Sequence, residues 1–213
     1  MSRRRKWTIL ISVVAVFVGG AAGAVAWYFH EYYPTHHFSV VEAGVLLRSG
    51  QPDRHGLAEA IQNYRIRTVV NLRGPDANES WYGVEANYCR RKKLTLVDIP
   101  MGPSGGEADH LREFLSVATD ANFQPVLVHC EMGVARTGFV VAGYRIAVKK
   151  WSYKQAMHEA QDFGFHPEYA KHAEYVALLK SLAAGADWRT LQSEGPVPCA
   201  SAPRAESCSV GSQ

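Results

Sequence analysis

An α/β domain with a central, mostly parallel sheet flanked by helices is predicted by three observations. Short β-branched and apolar runs at 68–72 (TVVNL), 94–101 (LTLVDIPM) and 125–130 (PVLVHC) read as strands buried on both faces. Helical patterns at 54–65, 80–93 and 107–120 fill the intervals between those runs, and a parallel sheet needs such crossovers. Three more helical stretches follow the last strand, at 136–150, 152–163 and 167–183, and would cover the sheet.

Each element has its own local cause. Residues 1–6 are basic, with Arg3, Arg4, Arg5 and Lys6, and the 23 residues from Trp7 to Phe29 carry no charge. At about 1.5 Å per residue that run is long enough for a ~30 Å hydrocarbon core, so 7–29 is expected to be a transmembrane helix. Trp7 at one end and Trp27, Tyr28, Tyr32 and Tyr33 at the other resemble interfacial aromatic belts. The positive-inside rule then puts the rest outside the cytoplasm. A cleaved signal peptide ending near Ala24-Val25-Ala26 is the alternative, and it also exports the domain. Residues 30–38 form a linker. SVVEAGVLLRSGQP reads as two short strands about Ala43-Gly44 with a turn at Gln51-Pro52, opening a domain over 39–184. Asp53, Ser80 and Ser152 are expected helix caps, and Pro167 the start of the last helix. From 185 to 213 apolar periodicity gives way to a flexible tail rich in Ser, Pro and Ala.

Composition excludes several classes of function. With 47% hydrophobic and 20% charged residues the chain is neither wholly disordered nor fibrous. The net charge of +3 comes from the basic N-terminus: without its four cations, 19 basic residues face 20 acidic ones, so nucleic acid is not an expected partner. Cys199 and Cys208, nine apart, either close a small disulfide loop in an oxidising compartment or remain free thiols; Cys89 falls in a helical pattern. No Walker or Rossmann glycine pattern and no metal-ligand spacing occurs, so neither cofactor nor metal is expected.

The chemistry is concentrated after the third buried strand, in His129-Cys130-Glu131-Met132-Gly133-Val134-Ala135-Arg136-Thr137-Gly138. In open α/β sheets ligands bind at the carboxyl ends of strands, which is where this segment lies. A tight loop leading into a helix N-terminus turns successive backbone N–H groups toward one concavity, an anion site of phosphate size lined by residues 131–136. Gly133 permits the turn. The same amides favour a thiolate at Cys130, and Arg136 can grip two oxygens with its planar fork. Together these parts describe phosphoryl transfer through a phosphocysteine: Cys130 attacks, Arg136 and the loop amides hold the equatorial oxygens, and Thr137 helps the sulfur leave. His129 would order the loop.

The pattern H-C-x5-R-T-G after a buried strand resembles the signature loop of the cysteine-dependent protein tyrosine phosphatase superfamily. VLLRSGQP, IRTVVNLRG, the IPM strand end, PVLVHCEMGVARTGFVVAGYR and the A-x-x-E-A-x-x-F helix are similar to the compact dual-specificity phosphatases, above all the plant-and-fungal atypical type and its bacterial relatives. The resemblance covers about 39–180 and implies an enzyme that hydrolyses phosphotyrosine, and phosphoserine or phosphothreonine, in a protein or small phosphomonoester substrate. Three alternatives remain: a catalytically weak phospho-recognition module, an inositol-phosphate phosphatase, and a rhodanese-type sulfurtransferase. The family's general acid is an aspartate from a neighbouring loop, and GPSGGEAD lacks one at the expected place, leaving Asp98, Glu107, Asp109 or none. The absence of lysine among Glu131, Met132, Val134 and Ala135 favours a singly phosphorylated substrate. Arg48 and Arg73, each read as following a strand, either reach an extended substrate or are structural pairs or solvated side chains; Trp81, Tyr82 and Trp151 either line a groove or, as expected, pack in the core or on the surface. Nothing in the sequence indicates an oligomeric state.

Overall fold

The computed structural model describes residues 3–32, 37–102 and 105–192. Helix α1 (Arg3–Tyr32) is followed by strands β1 (Ser39–Glu42) and β2 (Leu46–Ser49), α2 (Arg54–Tyr64), β3 (Thr68–Asn71), α3 (Ser80–Lys92), β4 (Thr95–Asp98), α4 (Glu107–Thr119), β5 (Val126–His129), α5 (Ala135–Ala147), α6 (Tyr153–Asp162) and α7 (Ala173–Ala183). The sheet order is β1-β2-β5-β3-β4. Among the described residues only the β1–β2 hairpin is antiparallel, so the sheet is mostly parallel with one mixed edge.

The period of two along each strand divides the core into two layers. Val69, Leu127 and Leu47 point to one face and pack with Leu57 and Ala60 of α2 and Tyr88 and Cys89 of α3. Val70, Val128 and Leu46 point to the other, beneath Leu111 and Phe114 of α4, Phe139 of α5 and Leu179 of α7. Fully burying each such aliphatic side chain contributes about 1.5–3 kcal/mol. β3 and β5 are buried at every position, which is why their runs show no polar alternation; β4, expected to be buried as well, is the outer strand of the sheet and has no fully buried position.

Register sets the working edge. Ser49 lies opposite His129, His129 opposite Asn71, and Asn71 opposite Asp98, so four polar residues line the carboxyl end of the parallel strands.

Several local expectations are corrected. Ser80 is the first residue of α3, and Glu79 stands at the cap without a side-chain cap bond. The last helix does not begin at Pro167. The chain passes through a 3-10 turn at Ala170–His172, where His172 Nδ1 meets the His166 carbonyl at 2.7 Å, before α7 starts. Asp53 and Ser152 do cap α2 and α6, the latter in a full capping box. The Cys199–Cys208 pair and most of the tail lie outside the described residues. The same holds for linker residues 33–36 and for α1 side chains at 3–6, 8–11 and 26–32. Among the described residues no helix is long and apolar enough to cross a membrane, so the span expected at 7–29 gains no support from the fold.

The hairpin edge is fastened to α5 through Glu42, which accepts from Tyr144 Oη at 2.6 Å and from Lys149 Nζ at 2.9 Å. The tyrosine hydroxyl first, and the lysine second, hold this carboxyl below its ordinary value of 4.5. A depressed folded-state value means the stabilisation is complete above that ordinary value and disappears as pH falls through the lower one. In urea titrations from pH 7 to 3, the stability difference between wild type and Glu42→Gln should therefore be constant down to about pH 5 and shrink below it. A difference that stays constant to pH 3 would contradict this account.

Candidate active site

Cys130 directly follows β5, 3% exposed, at the floor of the loop that leads into α5. Three successive loop carbonyls are fastened by groups from outside the loop. Gln51 N–H donates to Glu131 O at 2.9 Å, His37 Nδ1 contacts Met132 O at 2.7 Å, and Arg48 Nη2 donates to Gly133 O at 2.7 Å. In a trans peptide the C=O of one residue and the N–H of the next point oppositely. Fixing the carbonyls of Glu131, Met132 and Gly133 toward their partners therefore turns the N–H groups of Met132, Gly133 and Val134 the other way, making a cradle of donors.

Gly133 is required twice over. Its φ is +71°, and a Cβ there would lie 2.6 Å from the Gly50 nitrogen and 2.8 Å from Ser49 backbone atoms. The loop thus rests against the end of β2. Arg48 does not follow its strand, as the sequence suggests; it lies inside β2, 1% exposed, with its guanidinium 3.8 Å from the Phe163 ring centroid. Burial lowers it to about 10, still cationic at neutral pH. It serves the loop, not an extended substrate.

Arg136 lies in the first turn of α5 and donates to Leu72 O at 3.3 Å and Met101 O at 3.4 Å, beyond the ends of β3 and β4. Thr137 is fully buried with its hydroxyl unpartnered among the described residues. Glu131 and Met132 are exposed at the surface of the loop, and Val134 and Ala135 are half-buried. Behind Cys130, His129 is completely buried, with Nδ1 3.2 Å from the Cys130 carbonyl oxygen and Nε2 2.9 Å from Glu85 Oε1. The Glu85 contact is close but off the hydrogen-bond line. Gln51 Nε2 also donates to Glu85 Oε1 at 3.1 Å, and Arg73 Nη1 donates to Gln51 Oε1 at 3.1 Å while stacking 3.7 Å over Trp81.

The three acid candidates separate. Asp98 accepts from Asn71 Nδ2 at 2.8 Å and from Tyr82 Oη at 2.7 Å, so both oxygens are engaged in fixing the strand ends. Burial first, and then Asp98, push the Tyr82 phenol up to about 12. Asp109 pairs with Arg112 on the outer face of α4. Glu107 is buried at the start of α4 with Oε2 unpartnered among the described residues. It shares a neighbourhood with Cys130 and Arg136: the Tyr175 phenol, pushed up to about 12 chiefly by burial, is raised further by Glu107 and Cys130 and lowered by Arg136.

His37, Gln51 and Glu85 carry no signal in the sequence, because their types and positions are ordinary; only the folded chain places them around the loop. Trp151, as expected, packs, under Arg145 at 4.3 Å.

A buried cysteine at the floor of a strand-to-helix loop, with an arginine in the first turn of that helix at the carboxyl edge of a parallel sheet, defines the class of cysteine-loop α/β proteins. The family model described as DSP-PTPase phosphatase fused to NAD+ kinase matches residues 36–177. The chain belongs to this DSP-PTPase phosphatase family. It is 32% identical over 143 residues to inositol diphosphatase DSP1 of Oryza sativa subsp. japonica, covering 61% of this chain and 58% of that protein. It is 28% identical over 149 residues to the dual specificity protein phosphatase TpbA of Pseudomonas aeruginosa, covering 66% of this chain and 64% of the relative. The chain thus spans about three-fifths of the length of these curated relatives. Its fold matches the core catalytic domain of the PP-IP phosphatase SIW14 from S. cerevisiae with a TM-score of 0.58 at 22% identity, covering 75% of this chain and 98% of that one.

Because Gly133 has neither the dihedral freedom nor the space for a side chain, Gly133→Ala should displace the cradle while leaving the sheet intact. Aryl phosphate hydrolysis is expected to fall on the order of a hundredfold, the usual cost of a misplacement near 1 Å, with an unchanged far-ultraviolet circular dichroism spectrum. Near wild-type turnover would refute the steric requirement.

Proposed function

We propose that this chain is a cysteine-dependent phosphatase that hydrolyses phosphate monoesters, with phosphotyrosine and phosphoserine or phosphothreonine as substrates. The observation that carries this reading is the fastening of the Glu131, Met132 and Gly133 carbonyls, which leaves three amides to hold an oxyanion over Cys130. The Cys130 thiolate attacks phosphorus, the S–P bond forms, and the P–O bond to the leaving group breaks with its electron pair on oxygen. Glu107 gives that oxygen its proton. Water then attacks the phosphocysteine, its proton passing to the Glu107 carboxylate as the new P–O bond forms, while the S–P bond breaks and the thiolate returns, with Thr137 hydrogen-bonding the departing sulfur. Arg136 and the amides hold the equatorial oxygens in both steps.

Charge supports a singly phosphorylated group. Arg48 is committed to Gly133, and Arg73 to Gln51 and Trp81, so of these three arginines Arg136, held only by two long bonds to carbonyls, is the one left to meet a phosphate. A second reading, hydrolysis of an inositol diphosphate, is favoured by the rice relative's name. Turnover of a phosphotyrosine peptide against a diphosphoinositol distinguishes the two. In the same assays Cys130→Ser should abolish hydrolysis, and Glu107→Gln should slow alkyl phosphates at least tenfold more than nitrophenyl phosphate, whose leaving group needs no proton. Turnover surviving in Cys130→Ser would sink the assignment. Equal losses on both ester types would remove Glu107 from the acid role.

We further infer that α1 is a retained membrane anchor holding the phosphatase domain outside the cytoplasm. Its 30 residues would span about 45 Å, and its described side chains from Ser12 to Val25, including Val13, Val14, Val16, Phe17 and Val18, are all exposed instead of packed on the domain. A reporter fused after residue 184 should be active only in the extracytoplasmic compartment and should sediment with membranes. A cytoplasmic signal would overturn the orientation, and a freely released, shortened product would show a cleaved segment.

A further inference from the structure

The pair of buried ionisable groups behind Cys130 carries an inference beyond the phosphate cradle. His129 and Glu85 are 0% and 1% exposed, and their facing atoms, Nε2 and Oε1, are 2.9 Å apart. At its other nitrogen His129 faces a backbone carbonyl, that of Cys130, at 3.2 Å. A carbonyl can only accept, so Nδ1 carries a proton. A neutral ring would then turn the Nε2 lone pair toward a carboxylate at close range, in a buried place where such repulsion is strong. The 2.9 Å contact lies off the hydrogen-bond line, so charge is what relieves it: a second proton on the ring makes the pair an imidazolium beside a carboxylate. Gln51 Nε2 donating to the same oxygen supports the carboxylate form, and Arg73 extends the chain of donors to the rim at Trp81.

We propose that Glu85 is a positioning residue for catalysis: by holding a second proton on His129, it keeps a positive charge behind Cys130 and the nucleophile's own carbonyl fixed by Nδ1–H. The inference rests on Cys130 being the nucleophile. A cation in that position favours the thiolate. Replacing the carboxylate by an amide leaves a fully buried imidazolium without a counter-charge, which neutralises by losing a proton. The neutral ring can still donate Nδ1–H to Cys130 O and accept at Nε2 from the amide of residue 85, so what the substitution removes is the positive charge behind Cys130.

The other ionisable groups around the pair do not confuse the test. Cys89 and Tyr82 on α3, both within the field of Glu85, are pushed to about 12, chiefly by burial, and stay neutral below pH 8. Asp98 at the end of β4 is engaged by two donors, and Arg48 of β2, Arg73 after β3 and Arg136 of α5 supply fixed positive charge.

Two measurements on the full chain test the proposal. Long-range proton–nitrogen correlation spectra of the wild-type protein should show both His129 ring nitrogens protonated from pH 6 to 8; a singly protonated ring refutes it without any variant. The pH profile of kcat/KM for nitrophenyl phosphate should then move in Glu85→Gln, with about a tenfold loss at pH 5.5 that narrows to less than twofold at pH 8.5. In a His129→Asn background the same substitution should add no further shift. A loss equal at every pH, or an additive loss in the double variant, would mean that Glu85 only supports the fold. If turnover itself does not depend on Cys130, the phosphatase reading fails, while the ring spectrum still reports on the His129–Glu85 pair.

Discussion

The hydrogen bond from Arg48 Nη2 to the Gly133 carbonyl is the constraint on which the rest of the site depends. Burying a guanidinium almost completely is costly, and two of its nitrogens, Nε and Nη1, find no partner among the described residues. The face of Phe163 and the field of Glu159 offset part of that cost, and the cation survives at neutral pH. What the buried charge secures is shape. With Gly133 drawn against Ser49 and Gly50, the loop reaches β2 at backbone contact distance, a position no side-chain-bearing residue could take. The cradle is therefore set before any oxyanion arrives, which is the condition under which fixed dipoles stabilise developing charge most effectively.

That dependence also explains how the working edge forms. Parallel strands end together, so Ser49, His129, Asn71 and Asp98 lie side by side. Each of them supports the structure in its own way. Ser49 backs Gly133, His129 meets Glu85, and Asn71 bridges Asp98 and the Gly74 carbonyl. The polar residues at the edge hold the loops, and the loops carry the chemistry.

This division of labour shows what can be read in the sequence. β3 and β5 are legible because burial on both faces leaves unbroken apolar runs, and the loop because a cysteine, a glycine and an arginine follow such a run in fixed spacing. The supports are not. Arg48 looks like a residue beyond a strand, yet its partner lies 85 positions away. Glu85 sits in a helix of ordinary polarity, and its partner His129 is brought to it only by the crossover through β4 and α4. Asp98 has a suggestive distance from Cys130, but its register beside Asn71 and its bond from Tyr82 engage both oxygens. Pro167 suggests a helix start that the His172–His166 bond delays.

The orientation of Arg136 follows from packing beneath α5. Phe165 lies within 3.5 Å of where a Cβ on Gly138 would be, so the first turn of the helix rests directly on this ring. Phe165 stacks on His172 at 4.8 Å, His172 on Tyr175 at 5.9 Å, and Tyr175 on Phe139 at 4.2 Å, a column of rings that returns to α5 one residue beyond Gly138. The helix start cannot tilt without disturbing the whole stack. The guanidinium it carries is held by two carbonyls at 3.3 and 3.4 Å, long bonds to neutral acceptors. Charge-assisted bonds to phosphate oxygens at about 2.7–2.9 Å are stronger, so an arriving phosphate can draw the fork away from Leu72 and Met101 while the backbone stays where the ring column holds it.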